Sequence, residues 1–257
     1  MPDPTSRYDF FHSKRARTLL AEFDPEKTPT HVAVITDGNR RWARKRGLPA
    51  VAGHSAGAKA VREAIAASIE LGISYLTLYS FSSENWSRPD DEVSGLMSLF
   101  VEVLERELVN LERMHVRVVV IGRMNELPAK TREAFERVIA RTTDNEALTL
   151  VVALNYGARA EIADAIRTIA EQVSAGELAS ADIDEAAISS RLYTAGIPDP
   201  DLLIRTSGEF RVSNFLLWQI AYSELWVTAT LWPDFDRTDL LRAVVDFEKR
   251  ERRFGGR

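Results

Sequence analysis

The chain has 257 residues, of which 45% are apolar and 28% charged, with a net charge of −5; that supplies one sizeable core and weighs against a general nucleic-acid binder, whose surface is ordinarily basic. It has no cysteine, which excludes a disulfide framework and a thiolate-held zinc, and its four histidines, His12, His31, His54 and His115, show no metal-ligand spacing. No apolar run approaches the ~20 residues that span a bilayer, and MPDPTSRYDFFHSKRAR lacks the uncharged core of a signal peptide, so a cytoplasmic protein is expected, peripheral at a membrane at most.

Residues 1–28 read as an N-terminal helical extension and 29–257 as one domain. In the extension Phe11, Leu19, Leu20 and Phe23 form a weak apolar stripe beside Lys14, Arg15 and Arg17. That pattern suits a helix packed on the body of the fold better than a lipid-surface anchor. Pro25 and Pro29 end it. Short apolar runs then alternate with helical patterns. Strands are expected at 31–36, 73–80, 116–122, 148–154 and 201–205, with a sixth near 225–228. Helices are expected at 55–71, 90–113, 129–142, 159–174, 184–193 and 238–253. The runs are apolar nearly throughout, as strands covered on both faces are. The expectation is therefore a single-domain α/β fold, with a mostly parallel central sheet of about six strands flanked by helices.

Two helices carry informative faces. In 90–113, Leu96, Leu99, Phe100, Val103 and Leu104 recur at spacings of three and four, and Val93, Met97, Leu108 and Leu111 widen the stripe. In 55–71, six alanines keep the helix thin. Ordinary core packing is the plainer reading for each residue. Thin apolar walls also suit a hydrocarbon-sized cavity, and periodicity does not separate the two.

In an open parallel sheet, ligands bind beyond the carboxyl ends of the strands. After the first run comes Asp37-Gly38-Asn39-Arg40-Arg41-Trp42, and after the second Phe81-Ser82-Ser83-Glu84-Asn85-Trp86-Ser87-Arg88. The fourth is followed by Asn155-Tyr156-Gly157-Ala158-Arg159, and the fifth by Thr206-Ser207-Gly208-Glu209, then Arg211 and Ser213. One rim thus gathers carboxylates, amides, hydroxyls and arginines, a set suited to diphosphates. Asp37 is a hard oxygen ligand of the kind Mg²⁺ takes. Gly38 and Asn39 tolerate tight backbone conformations that turn N–H groups toward an anion. Arg41 stands near the start of the following helix, and Arg205 and Arg211 can grip phosphate oxygens bidentately. Ser82 and Ser213 add neutral donors. Taken singly, an aspartate after a strand is usually a helix cap and the run 40–46 a solvated face. No G-x-x-x-x-G-K-[ST] is present and no G-x-G-x-x-G follows the first strand; G-x-S-x-G occurs once, as Gly53-His54-Ser55-Ala56-Gly57, but does not follow an expected strand. A P-loop, a dinucleotide fold and a serine-hydrolase elbow are therefore not expected.

The segments HVAVITDGNRRWA, GHSAGAK, LTLYSFSSENWSRP, NYGAR, DLLIRTSGEFRVSNFLLWQIAYSELW and WPDFD together resemble the cis-prenyltransferase (undecaprenyl diphosphate synthase) family. The resemblance runs in order from about His31 to the C-terminus. It implies a catalytic domain over 29–257 with an apolar tunnel, in a fold distinct from the Rossmann arrangement. It implies elongation of an allylic diphosphate, farnesyl diphosphate by expectation, with isopentenyl diphosphate and Mg²⁺. The expected product is long, near undecaprenyl diphosphate for a cell-wall lipid carrier, with a short- or medium-chain synthase or a non-catalytic accessory subunit as alternatives. By resemblance, Asp37 and Glu224 hold the metal and Asn85 assists proton removal. Gly38, Asn39, Arg40, Arg41, Trp42 and His54 surround the allylic diphosphate. Ser82, Ser83, Glu84, Trp86 and Arg88 belong to a mobile loop between the substrates, and Arg205, Arg211, Val212 and Ser213 bind isopentenyl diphosphate. Ala50 stands where the nearest relative has an arginine, a contact that Arg46 could replace. Ser80 is small at a position where bulk goes with short products, and Leu148 matches the far end of the tunnel. A homodimer is implied, and no nucleic-acid partner.

Overall fold

Five consecutive residues, His31–Ile35, are all buried and form strand β1. A strand with no exposed residue must be covered on both faces, and β1 lies inside a six-stranded sheet. The computed structural model describes residues 11–251. The other strands are β2 (Tyr75–Ser82), β3 (Val116–Ile121), β4 (Leu148–Tyr156), β5 (Leu202–Arg205) and β6 (Glu224–Val227). They lie in the order β3-β4-β2-β1-β5-β6, and every pairing is parallel. This is the expected single-domain α/β sheet flanked by helices, with an order unlike the 3-2-1-4-5-6 of the dinucleotide-binding fold.

Alternation along the strands splits the core in two. Val32, Val34, Leu76, Leu78, Leu150 and Val152 point into one cluster, whereas Ala33, Ile35, Tyr79, Val151 and Ala153 point into the other. The first face is covered by α3 (Ala50–Leu71), α4 (Asp90–Arg113), α5 (Ala129–Thr142) and α8 (Arg237–Glu248). On the second face lie Ala158, at the start of α6 (Ala158–Ser174), and the segment around Phe215 and Leu216. The short helices α1 (Lys14–Leu20), α2 (Asn39–Lys45) and α7 (Glu185–Ser189) complete the described chain.

Several boundaries differ from expectation for local reasons. α3 starts at Ala50 instead of at 55, so Gly53 and His54 lie inside the helix, and Pro49 occupies the N-cap position. β2 and β4 run on to Ser82 and Tyr156 because they keep pairing past two register shifts, a bulged extension that alternation does not signal. The 184–193 pattern yields only Glu185–Ser189. α1 packs against α8, with Phe11 and Ala16 buried and Leu19, Leu20 and Phe23 against the main core, so its apolar side chains are already used. Among the described residues no helix is long and apolar enough to cross a membrane.

Candidate active site

β1 and β5 are neighbours that the chain visits far apart in sequence, and their carboxyl ends form the crevice where such sheets bind ligands. Asp37 lies just beyond β1 and Arg205 ends β5. The Arg205 side chain is 6% exposed: it donates to Asp37 Oδ2 at 2.9 Å, to Ser213 Oγ at 2.8 Å and to the Arg211 carbonyl, while its buried Nε has no protein partner. Arg41 reaches the same Asp37 Oδ2 at 3.0 Å and donates to Glu209 Oε1, also at 3.0 Å. Glu209 Oε2 in turn accepts from Arg211 at 2.6 Å. The result is one charge chain, Arg205–Asp37–Arg41–Glu209–Arg211, of three cations and two anions. Burial pushes the Asp37 carboxyl up, but the bonds and field of Arg41 and Arg205 outweigh it and hold the group below the usual carboxylate range.

The backbone around Asp37 is fixed. Its carbonyl accepts from Trp232 N at 3.0 Å and from Thr206 Oγ1 at 2.6 Å. Gly38 has φ +115°, and a Cβ there would meet Leu231 at 3.0–3.1 Å, so both conformation and space demand glycine. α2 then packs closely on α3: a Cβ on Gly53 would lie 2.1 Å from the Asn39 carbonyl oxygen. Gly53→Ala therefore displaces the start of α2. We expect a loss of about 1–3 kcal/mol in stability, read by thermal melts.

An open pocket of about 690 Å³ lies beside this backbone, lined by Asp37, Gly38, Asn39, Arg40, Arg41, His54, Ser82, Asn85 and Arg88. Asn39 Oδ1 and His54 Nε2 are buried polar atoms with no protein partner, as expected where a ligand completes the bonding. Burial, and then the field of Arg88 and Arg40, pulls His54 down to about 4, so at neutral pH its ring is uncharged. Glu92 bonds Arg88 at 3.1 Å and lies 3.7 Å from Arg40, joining two cations of the wall. The turn Ser83–Ser87 is closed by a capping box in which Asn85 Oδ1 accepts from Ser82 N at 3.2 Å. Asn85 therefore lines the pocket with its oxygen already bonded.

Other expected residues lie apart from the pocket. Glu224 begins β6 opposite Leu202, whereas Arg205 is opposite Val227. In this strand register Glu224 sits at the amino end of the sheet, away from Asp37, and pairs with Arg250 at 2.8 Å. Within one chain it does not share a metal site with Asp37. Trp42 points to the other side of α2, where its Nε1 donates to Asp234 and Arg46 lies over its ring; Arg46 is thus turned away and does not stand in for an arginine at Ala50. Arg44 does line the pocket. It was missed because the run was read as a solvated face, although Arg40 and Arg44 share the spacing of one helical face. Trp86 donates to Asn155 Oδ1 at 2.8 Å and packs edge-on against Phe81, lining a separate groove beside α4. Ser83 and Glu84 face Gly157 and Asn214, and Val212 packs into the second core.

A second cavity, of about 360 Å³ and mostly apolar, lies between α3, α4 and the sheet. Ala58, Val61, Ile65, Ala66, Phe100, Val103 and Leu104 line it, so the stripes of both helices do border a cavity. Ser80 lines both this cavity and the polar pocket. The β4 wall is formed by Leu150 and Val152, while Leu148 is buried one strand step earlier.

Among the described residues no cluster of three or more acidic or histidine side chains could hold a metal alone. The donor set still fits Mg²⁺ carried with a diphosphate, which needs only one or two carboxylates because substrate oxygens and water complete its shell. Both arginines bond Asp37 Oδ2, leaving Oδ1 without a described partner.

An acid and a set of guanidiniums at the mouth of an apolar cavity suit a ligand with a charged head joined to a hydrocarbon chain. Residues 35–255 match the family described as "Putative undecaprenyl diphosphate synthase", and the chain belongs to that cis-prenyltransferase family. An isoprenyl transferase of Heliobacterium mobile is 52% identical over 240 residues, 93% of this chain and 92% of the relative. A ditrans,polycis-undecaprenyl-diphosphate synthase, (2E,6E)-farnesyl-diphosphate specific, of Lactiplantibacillus plantarum is 51% identical over 238 residues, 91% of this chain and 92% of the relative. Among solved structures, lavandulyl diphosphate synthase from Lavandula x intermedia, in complex with dimethylallyl diphosphate, superposes with a TM-score of 0.87 at 37% identity. That match covers 90% of this chain and 99% of the other.

Proposed function

We propose that the protein condenses isopentenyl diphosphate onto farnesyl diphosphate in the cis sense, repeatedly, to a long polyprenyl diphosphate near undecaprenyl. The observation that carries this reading is the position of Ser80, which lines both the polar pocket and the apolar cavity, so a ligand with its head in the first would reach the second past this residue. The names of the relatives support the substrate class, and that of the Lactiplantibacillus enzyme the farnesyl primer.

Asp37 and the diphosphate oxygens would hold Mg²⁺, which when bound neutralises charge on the leaving diphosphate. Arg40, Arg41, Arg44 and the neutral His54 bind the allylic diphosphate and stabilise it as it departs. Arg205, with Ser213 beside it, and Arg211 clamp the isopentenyl diphosphate, holding its double bond near the developing cation. Asn85 stands close enough to take part in proton loss only if its bond to Ser82 N is exchanged. The growing chain moves past Ser80 into the cavity, where each buried CH₂ contributes about 0.8 kcal/mol, which favours retention between additions.

We also propose residues 29–257 as the catalytic domain and a homodimer as the working form. The exposed edge strand β6 and the exposed Phe210, Leu217 and Leu225 nearby support a second copy docking there. Purified protein incubated with Mg²⁺, labelled isopentenyl diphosphate and primers of different length tests the activity. A ladder of long products from farnesyl diphosphate is expected; no product from any primer points to an accessory subunit, and a single addition to a short-chain synthase. Ser80→Leu closes the junction, so the product distribution moves to shorter chains on chromatography. An unchanged distribution removes Ser80 from length control.

A further inference from the structure

Three residues in four positions after β5 have left-handed backbone: Ser213 at φ 48°, Asn214 at 60° and Leu216 at 47°. Such conformations persist where the surroundings over-determine them, and here Asn214 supplies the ties. Its carbonyl accepts from Ala158 N at 2.9 Å, its Oδ1 accepts from Arg159 N at 2.9 Å, and its Nδ2 donates to Glu84 Oε1 at 2.8 Å. A Cβ on Gly157 would lie 2.8 Å from Asn214 Nδ2 and 2.6 Å from Ser83 Oγ, so the segment and the turn close over that glycine.

The two tied segments have the same layout. Ser213 bonds Arg205 and its neighbour Asn214 bonds backward to the turn; Asn85 lines the pocket and its neighbour Glu84 receives that bond. Burial pushes the Glu84 carboxyl up, but the bond from Asn214 and bonds within the turn hold it below its ordinary value, so an anion accepts here. Tyr79 stiffens the arrangement: its ring stacks on Phe215 at 4.4 Å and its hydroxyl shares its proton between the carbonyls of Tyr156 at 3.2 Å and Ser213 at 3.4 Å.

We infer that Asn214 is a positioning residue: through its bond to Glu84 it sets Asn85 relative to the Arg205–Ser213 clamp. The inference rests on the condensation proposed above. The bond lies between the two segments and away from α2 and His54, so it governs the rate of the condensation step more than the affinity for the allylic diphosphate.

A charge-swap cycle tests it. N214D keeps the Oδ1 acceptor for Arg159 N but sets a second carboxylate against Glu84; E84Q in the same chain returns an amide donor to the pair. In single-turnover condensation with farnesyl diphosphate, labelled isopentenyl diphosphate and Mg²⁺, N214D is expected to slow the step roughly 10- to 100-fold. KM for farnesyl diphosphate should shift by less than about threefold, as expected for a group outside that subsite. The N214D/E84Q pair should recover most of the rate relative to E84Q alone. Amide hydrogen exchange over 82–88 gives a readout independent of turnover, accelerating in N214D and recovering in the pair. A wild-type rate in N214D, or additive rather than compensating losses in the pair, overturns the inference. So does recovered exchange without recovered rate. If N214D does not fold, E84A cuts the same bond from the exposed turn and must give the same loss of rate; an unchanged rate in E84A overturns the inference too. A wild-type protein that forms no product, yet shows the exchange effect and its rescue, refutes the proposed condensation while leaving the tie in place.

Discussion

Asp37→Ala lowers the condensation rate roughly 10³-fold or more, with the far-ultraviolet circular dichroism of the wild type. The substitution removes Asp37 Oδ1, which has no described partner, and leaves Arg41 and Arg205 without their shared acceptor Oδ2. Arg205 loses its counter-ion, which lowers stability, but keeps its bonds to Ser213 and the Arg211 carbonyl, so the fold is expected to survive. Because the folded-state Asp37 value is depressed, its ion pairs contribute stability that is present above the ordinary carboxylate range. That contribution is lost as pH falls through the lowered value. Asp37→Ala should therefore flatten this part of the acid limb in thermal melts taken across pH. Near-normal turnover in the variant would remove Asp37 from the mechanism.

Arg205→Lys is the second large effect, although it conserves charge. The guanidinium makes three bonds in three directions from a nearly closed site, and a lysine ammonium on a flexible stem does not reproduce that fork. We expect KM for isopentenyl diphosphate to rise roughly 10²-fold, the scale of a lost charge-assisted pair, and stability to fall by about 1–3 kcal/mol as Ser213 and the Arg211 carbonyl lose their donor. KM for farnesyl diphosphate should change little, because on the proposed reading α2 and His54 hold that ligand. Equal rises in both constants would show that Arg205 serves the whole pocket instead of one subsite.

The sheet was legible because its inner strands β1, β4 and β5 are buried on both faces and so appear as near-continuous apolar runs; even the four residues of β6, a half-exposed edge strand, were anticipated near their true place. The rim was legible because parallel strands put every carboxyl end on one side, which brought Asp37, Ser82, Asn85 and Arg205 together before any coordinates. What escaped was direction. Trp42 and Arg46 belong to the same short segment as Arg40, Arg41 and Arg44 but leave the opposite side of α2, and a run of charges does not declare its helical phase. Glu224 looked like a ligand by motif, yet it opens a strand, and only the register reveals at which end of the sheet it stands. Long-range partners were equally hidden: nothing local to Glu92 or Asn214 signals that each ties together segments that line or support the pocket.

The linked arginines and acids have a consequence for repeated use. Asp37 and Glu209 engage Arg41, Arg205 and Arg211, so in the proposed reaction a diphosphate that reaches Arg41 or Arg211 would compete with Glu209 instead of with water, while Asp37 stays to carry the metal. Capture is weaker than three free arginines would give, but release is easier, a sound trade for a site that must empty after every round.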